Sequence, residues 1–134
     1  MVAPNLIGCF LIKRISKKEY LSGLIVETEA YSEEEESCHG FTGKTQSNKT
    51  LFGEPGHLYI YLSYGIYNCV NIVTGKRDWA NGVLLRSIAI KGEDERIASG
   101  PGLLAKKFGL NRNHNNLLLS PENDFWLTEG ENFK

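Results

Sequence analysis

Two glutamates and a tyrosine in a strand-like segment are the first candidates for chemistry. Alternation along an extended chain puts Glu27, Glu29 and Tyr31 on one face. The residues expected on the opposite face are Val26, Thr28 and Ala30. On an exposed face the polar residues need no explanation, but in a cleft a carboxylate beside an aromatic ring could be a general base next to a stacking surface. The strand alone leaves both interpretations open.

A tyrosine-rich stretch is the second candidate. Four of the nine residues from Tyr59 to Tyr67 are tyrosines, and the aromatic and β-branched residues around them predict two strands. Tyr64 and Gly65 mark the turn, so the hairpin would carry an aromatic ring at its tip. Aromatic and apolar wedges open a DNA duplex from the minor groove, and aromatic rings can stack an extruded base.

The register of this hairpin decides which side chains share a face. A two-residue loop would pair Tyr61 with Asn68. A three-residue loop from Tyr64 to Ile66 would instead place Asn71 on the face of Tyr59 and Tyr61. We favour the three-residue loop, because a glycine within such a loop is a common bulged arrangement.

Other catalytic motifs fail in this sequence. Gly43–Thr45 looks like the end of a phosphate-binding loop, but Cys38 stands where that motif requires a glycine. Cys38 and His39 have no further ligands at a recognised metal spacing, and no neighbour would activate the thiol as a nucleophile.

The elements that would position these residues form a mainly antiparallel α+β fold. A polar turn at residues 16–19 joins two apolar segments into a first hairpin, and a long polar connection precedes the second. Ser99-Gly100-Pro101 predicts the start of a helix, and Gly109 predicts its end. The expected strand regions are Leu6–Ile15, Leu21–Ala30, the hairpin 58–74 and Val83–Ile90.

Length and composition are those of one folded domain. The chain has 134 residues, 41% hydrophobic and 23% charged, which argues against a mostly disordered chain. The longest apolar run, Leu6–Ile12, is far shorter than the about 20 residues of a bilayer span, so we expect no membrane association. Three separated cysteines and no secretory pattern at the N-terminus predict an intracellular protein, in the cytoplasm and nucleoid or in a nucleus.

Charge is unevenly distributed along the chain. The net charge is −1, but residues 41–112 carry 10 Lys and Arg against 5 Asp and Glu. A basic middle is what a polyanion partner requires, although an ordinary mixed surface would look the same in composition.

Several strings of residues, in order along most of the chain, resemble the alkyladenine DNA glycosylases, also called 3-methyladenine or 3-methylpurine DNA glycosylases. The strings are IVETEAY from Ile25, PGHLYIYLSYGIYNCVNI from Pro55, GVLLR from Gly82 and SGP from Ser99, with His39 between the first two. The first two strings together are very specific to that family.

The resemblance implies a monofunctional enzyme of base excision repair. It would bind double-stranded DNA in the minor groove, flip an alkylated or deaminated purine out of the duplex and hydrolyse the N-glycosidic bond. Glu29 would deprotonate the attacking water, and Arg86 would help to position Glu29 and the water. The nucleophile would be water rather than a lysine amine, and neither a metal nor another cofactor is implied.

The binding residues also come from the resemblance. Tyr31 would stack on the flipped base, Asn71 would exclude the exocyclic amine of guanine, and Tyr64 would fill the gap in the duplex. The base pocket would consist of Tyr31, His39, Tyr61 and Asn71, and the residues entering the DNA would be Tyr64 and Ile66. Tyrosine faces would favour cationic alkylated purines by about 0.5–2 kcal/mol for each cation–π contact.

The implied fold is a single compact domain on a curved antiparallel sheet with a protruding hairpin, similar to the C-terminal domain of methionyl-tRNA formyltransferase. We expect a monomer. Relative to the family, residues 1–134 are expected to lack most of a first helix and a final basic segment, and the stretch between Arg86 and Ser99 is short. The slightly acidic balance predicts weaker DNA binding than a basic member would show at the same salt concentration.

Two rival functions remain at this point. A catalytically inactive relative would still bind DNA but would not release a base. An RNA-binding domain is suggested by fold analogy alone, and nothing in it requires the string that contains Glu29.

Overall fold

An antiparallel sheet of six strands with one α-helix makes up the described part of the molecule. The structure is a computed structural model, and it describes residues 6–32, 55–74 and 81–129. The strands are β1 Phe10–Arg14, β2 Tyr20–Ser32, β3 Leu58–Ser63, β4 Tyr67–Val73, β5 Asn81–Ala89 and β6 Phe125–Thr128, and the helix is α1 Pro101–Phe108. Their order across the curled sheet is β3-β4-β5-β2-β1-β6. Antiparallel strands with little helix confirm the predicted α+β class.

The first hairpin forms where the sequence predicts it. Strands β1 and β2 pair from Phe10 opposite Leu24 to Arg14 opposite Tyr20. The first strand begins later than the predicted Leu6, because the chain turns at Gly8, whose φ is 93°. A positive φ of this size is readily available to glycine and would strain other residues.

The tyrosine hairpin has the predicted register. Ser63 lies opposite Tyr67, and Tyr59 lies opposite Asn71, so residues 64–66 form a three-residue loop. The backbone N–H of Ile66 donates to the carbonyl of Ser63 at 3.0 Å and closes the turn. The prediction that Asn71 shares a face with the tyrosines of β3 is therefore confirmed.

Strand β6 was not predicted. It holds only the four residues Phe125–Thr128, and it pairs antiparallel with β1 at the edge of the sheet. The short apolar stretch Leu117–Leu119 forms none of the six strands and lies beside the start of β3. There, Leu58 N–H donates to Leu117 O at 2.8 Å, and Leu119 N–H donates to Gly56 O at 3.0 Å.

The helix covers one face of the sheet and forms the core with it. Leu104, Ala105 and Phe108 of α1 are buried against strand residues. Their strand partners in the core include Leu11, Ile25, Leu58, Val70, Ile72, Val83, Leu85 and Ile88. The helix starts at Pro101 and ends before Gly109, as predicted, and Lys13 Nζ donates to Phe108 O at 2.9 Å at its C-terminal end. Of the helices in the described ranges, none has the length and apolar character to cross a membrane.

Candidate active site

One row of opposed residues crosses four neighbouring strands on the face away from the core. The row consists of Glu29, Leu84, Asn71 and Tyr59, each opposite the next. Directly opposed residues in an antiparallel sheet lie on the same face, and Tyr61 lies on it two residues beyond Tyr59. The sheet thus brings together a carboxylate, an amide and two phenols from separate parts of the sequence.

An irregularity between β2 and β5 brings a guanidinium to this row. Val26 on β2 and Arg86 on β5 have no partner in the strand register. The pairs that surround them are Ile25–Ile88, Glu27–Ser87 and Thr28–Leu85. Arg86 Nη1 donates to Glu29 Oε1 at 3.0 Å. Bulges of this kind re-aim side chains and are over-represented beside active sites.

The same irregularity corrects the predicted alternation along β2. Val26 is 45% exposed, whereas Ala30 packs against the core. The side chain that β2 buries before the bulge is Ile25, at 0% exposure. Strict alternation fails here because the extra residue lets two successive side chains, Val26 and Glu27, both face solvent.

Arg86 lies between two carboxylates. Its Nε is 4.0 Å from Glu27 Oε2, and its Nη1 is 3.0 Å from Glu29 Oε1. All three side chains are well exposed to solvent, so these ion pairs add little to the stability of the fold. A bound ligand that excludes water would strengthen them, since Coulomb interactions grow as the local dielectric falls.

The tyrosine face is partly buried and held by hydrogen bonds. The rings of Tyr59 and Tyr61 are tilted, with centroids 5.7 Å apart. Burial raises the pKa of Tyr61, and Cys69, Tyr59 and Glu29 raise this pKa further, so the phenol stays neutral. Burial also raises the pKa of Cys69, although hydrogen bonds from Tyr61 and Ser63 act in the opposite direction.

Asn71 is the one buried polar side chain in the described ranges, at 1% exposure. Its Nδ2 donates to the carbonyl of Tyr59 at 3.1 Å and to the carbonyl of Cys69 at 3.2 Å. These bonds fix the orientation of the amide, because a buried amide that rotated would lose both.

A cleft of about 670 Å³ opens beside this face. Its lining consists of Tyr61, Ser63, Tyr64, Tyr67, Cys69, Leu84, Arg86 and residues 99–103 at the start of α1. The volume lies within the range of small-molecule sites, about 300–1,000 Å³, and one nucleobase fits easily. Arg86 both lines the cleft and holds Glu29.

The hairpin tip beside the cleft exposes apolar side chains. Tyr64 is 90% exposed and Ile66 is 70% exposed. Tyr64 also has a φ of 54°, which is unusual for a bulky residue and stores backbone strain. An aromatic ring held outward at a strained turn is a candidate for contact with a partner.

The structure therefore gathers Glu29, Arg86, Tyr61 and Asn71 on one face, with Tyr64 in the wall of the cleft and Ile66 in the same hairpin loop. The backbone of Tyr31 pairs with Gly82 in the sheet, and nothing is described of its side chain. His39 lies outside the described residues. Within the described ranges, no three His, Cys, Asp or Glu side chains are grouped so that they could hold a metal ion.

Sequence reasoning missed the supporting contacts around Arg86. Ser87 Oγ donates to Glu27 Oε1 at 3.2 Å, and Gly100 N–H donates to Ser87 Oγ at 3.3 Å. Ser99-Gly100-Pro101 is recognisable in the sequence as a helix start, but nothing in that pattern indicates its partner on β5.

Comparison with known proteins adds a family match. Residues 1–134 match the methylpurine-DNA glycosylase family. A curated relative from Synechococcus sp. (strain JA-3-3Ab) is 37% identical, and the match covers 95% of this chain and 73% of the relative. A relative from Legionella pneumophila (strain Corby) is 39% identical, and the match covers 96% of this chain and 70% of the relative. A protein of Carboxydothermus hydrogenoformans is 35% identical over 98% of this chain and 74% of its own length. All three carry the provisional name 3-methyladenine DNA glycosylase.

Proposed function

The chain belongs to the methylpurine-DNA glycosylase family, and from this premise we propose that it is a monofunctional DNA glycosylase of base excision repair. The observation that carries the proposal is the ion pair between Arg86 and Glu29 beside a tyrosine-lined cleft. The curated relatives' names support the same activity. The substrate would be double-stranded DNA that contains an alkylated or deaminated purine.

The hairpin and the cleft suit the extrusion of a base. Tyr64 and Ile66 would enter the duplex from the minor groove and replace the extruded nucleotide in the stack. The damaged purine would enter the cleft and lie against Tyr61, with Tyr31 and His39 as further pocket residues. Asn71 would reject guanine by crowding its exocyclic amine. Extrusion is easiest for a damaged or mispaired base, which adds selectivity.

Glu29 would supply the chemistry. Its carboxylate would accept a proton from water while the water oxygen bonds to the anomeric carbon of the sugar. The N-glycosidic bond breaks as that bond forms, and its electron pair leaves with the purine. The carboxylate also stabilises the positive charge that develops on the sugar. Arg86 would orient Glu29 through the bond at 3.0 Å.

Glu27 is a weaker candidate for the base. It accepts the Ser87 hydroxyl and, with Glu95 and Arg96, lines a cavity separate from the tyrosine-lined cleft. No step in this mechanism needs a metal, a cofactor or a second subunit, so we propose a monomer that acts in the compartment where the cell keeps its DNA.

The test is single-turnover release of a base from a duplex that carries one hypoxanthine or one ethenoadenine. We expect release by the wild type, and loss of release with unchanged DNA affinity in Glu29→Gln. The Gln variant keeps the size of the side chain and removes its basicity. Folding of both proteins is checked by circular dichroism.

The outcomes separate the possible functions. Release by wild type at a rate that Glu29→Gln does not reduce would exclude Glu29 as the base. A folded wild type that binds duplex DNA but releases neither base would be an inactive DNA-binding relative. Tighter binding to RNA than to DNA of the same sequence would favour an RNA-binding domain.

A further inference from the structure

We propose that Glu27 and Ser87 are positioning residues that hold Arg86 against Glu29 and connect this pair to the start of α1. The proposal rests on the proposed function and adds residues that act through Arg86 rather than on the substrate. It comes from one continuous chain of contacts, which links Gly100, Ser87, Glu27, Arg86 and Glu29.

The hydroxyl of Ser87 accepts one hydrogen bond in this series of contacts and donates the next. The backbone N–H of Gly100 can only donate, so Ser87 Oγ must accept this bond, at 3.3 Å. The single hydroxyl proton is then available for Glu27 Oε1, at 3.2 Å. Ser87 therefore holds the Glu27 carboxylate, whose other oxygen faces Arg86 Nε.

The backbone of Arg86 is held by the same turn. Arg86 has no partner across the β2–β5 register, and its carbonyl instead accepts the N–H of Gly100 at 2.8 Å. One N–H thus contacts two successive residues of β5. Because residues 99–103 also line the cleft, the wall of the cleft and the guanidinium are positioned by one turn of chain.

Arg86 meets its two carboxylates through different nitrogens. Nη1 is bonded to Glu29 Oε1 at 3.0 Å, and Nε faces Glu27 Oε2 at 4.0 Å. Because the guanidinium is planar and rigid, a charge beside Nε limits its rotation and keeps Nη1 directed at Glu29. In the free protein water weakens this restraint, and a bound duplex would strengthen it by excluding water.

The first test compares Glu27→Gln and Ser87→Ala with Glu95→Gln. Glu95→Gln is the control, because Glu95 lines the same cavity as Glu27 and loses the same charge. Glu95 is exposed and takes no part in the contacts that link Gly100 to Glu29. We expect Glu27→Gln to slow single-turnover base release about threefold to fivefold, the scale of one exposed ion pair, with duplex affinity unchanged. Ser87→Ala should slow it less, and Glu95→Gln should match wild type.

Two further variants separate positioning from general support of the fold. Ser87→Thr keeps the hydroxyl and should restore the rate that Ser87→Ala loses. In an Arg86→Lys background, Glu27→Gln should change the remaining rate less than about twofold, because its route to Glu29 has been removed. A loss that persists at full size in that background, or that Ser87→Thr does not restore, would contradict the proposal.

A measurement independent of catalysis keeps this proposal separate from the proposed function. Nuclear magnetic resonance of the Arg86 Nε–H signal reports rotation of the guanidinium, and we expect faster rotation in Glu27→Gln than in wild type. Unchanged rotation would overturn the proposal even if the protein releases bases. Faster rotation in a protein that releases no base would support the contacts and reject the proposed function.

Discussion

Tyr64 holds a backbone conformation that costs the fold stability. Its φ of 54° lies in a region that glycine occupies easily and that other L-residues enter at a cost of about 1–2 kcal/mol. Its side chain recovers little of that cost, since it is 90% exposed. An aromatic ring at this position is better explained by contact with a partner than by packing.

We therefore expect Tyr64→Gly to stabilise the fold and weaken the activity. Glycine relieves the backbone strain, but it also makes the unfolded chain more flexible, which offsets part of the gain. We expect the free energy of unfolding to rise by about 0.5–1 kcal/mol. Base release should slow, because glycine cannot occupy the gap in the duplex. Urea unfolding and single-turnover release measure the two effects.

Tyr64→Phe is the matched control for that variant. It keeps the ring and the strained backbone, so both the stability and the rate of base release should stay near wild type. A Tyr64→Gly protein as active as wild type would contradict the assignment of Tyr64 as the wedge.

The shifted pKa of Tyr61 predicts how stability changes at alkaline pH. Burial, and after it the nearby Cys69, raises this pKa in the folded state, so the folded protein holds a proton that the unfolded chain releases near pH 10. Stability from this group is complete below about pH 10 and is lost as the pH rises above it. We expect the free energy of unfolding to fall more steeply above about pH 10 in wild type than in Tyr61→Phe.

A spectroscopic measurement checks the same residue directly. Tyrosinate absorbs more strongly than tyrosine in the near ultraviolet, and Tyr61 should not ionise with the ordinary groups near pH 10. Tyr61→Phe should therefore leave the absorbance change around that pH nearly unaltered. A clear reduction would mean that the phenol ionises normally.

At the level of elements, the helix and the tyrosine hairpin meet through Gly102. A Cβ at this position would lie 2.5 Å from Tyr67 Cδ1 and 3.2 Å from Tyr67 Cβ. The contact with Cδ1 is the severe one, and it requires the ring of Tyr67 to move. The contact with Tyr67 Cβ requires a smaller shift, of the hairpin relative to the helix start.

We expect Gly102→Ala to slow base release by displacing Tyr61 and Tyr64 from the wall of the cleft. Alanine favours helix by up to about 1 kcal/mol over glycine, which offsets part of an overpacking penalty of about 1–3 kcal/mol. Stability should thus fall only modestly while activity falls clearly. Single-turnover release and urea unfolding again provide the two readouts.

Tyr67→Leu supplies the control for that contact. A smaller, flexible side chain should accept the added methyl group, so the effect of Gly102→Ala should shrink in a Tyr67→Leu background. Equal effects in both backgrounds would mean that Tyr67 does not transmit the change.

The sequence predicts these elements unequally well, for physical reasons. The hairpin register and the ends of α1 follow from local residues, namely Tyr64-Gly65, Pro101 and Gly109, whose backbone preferences are strong. The bulge at Val26 and Arg86 has no such signal, because the alternating pattern of β2 continues through it. Strand β6 is stabilised by its pairing with β1, and a stretch of only four residues carries too weak a pattern to predict a strand.

In the candidate site, too, some residues could be identified from the sequence and some contacts could not. The resemblance supplied Glu29, Arg86 and Asn71, and periodicity placed Asn71 with the tyrosines. The contact between Ser87 and Glu27, and that between Gly100 and Ser87, join residues distant in sequence through a chain reversal. No spacing rule within one strand reveals such pairs.

For the whole molecule, the uneven charge predicts how DNA binding depends on salt. Residues 41–112 carry 10 basic and 5 acidic residues, although the chain as a whole has a net charge of −1. About four or five neutralised phosphates would give a slope near −4 for the logarithm of the association constant against the logarithm of the salt concentration. Titrations of an undamaged duplex at several salt concentrations measure this slope.

The free energy of unfolding at the same salt concentrations is the control, since it shows that salt does not act through the fold. A slope near zero would mean that the basic middle of the chain does not contact phosphates. A slope twice as steep as expected would require nearly all ten basic residues of 41–112 to contact phosphates.

The irregularities at Val26 and Arg86 each place one extra residue within the same short stretch of paired strands. Without both residues, Ile25, Glu27 and Thr28 would face Ile88, Ser87 and Leu85 in one unbroken ladder. Without only one, a single bulge would remain in one strand opposite a regular partner. Because Val26 and Glu27 both face solvent, loss of Val26 alone would leave Glu29 on its present side of the sheet. The two extra residues are therefore local additions, and the side chains beyond them keep their faces whether or not the additions are present.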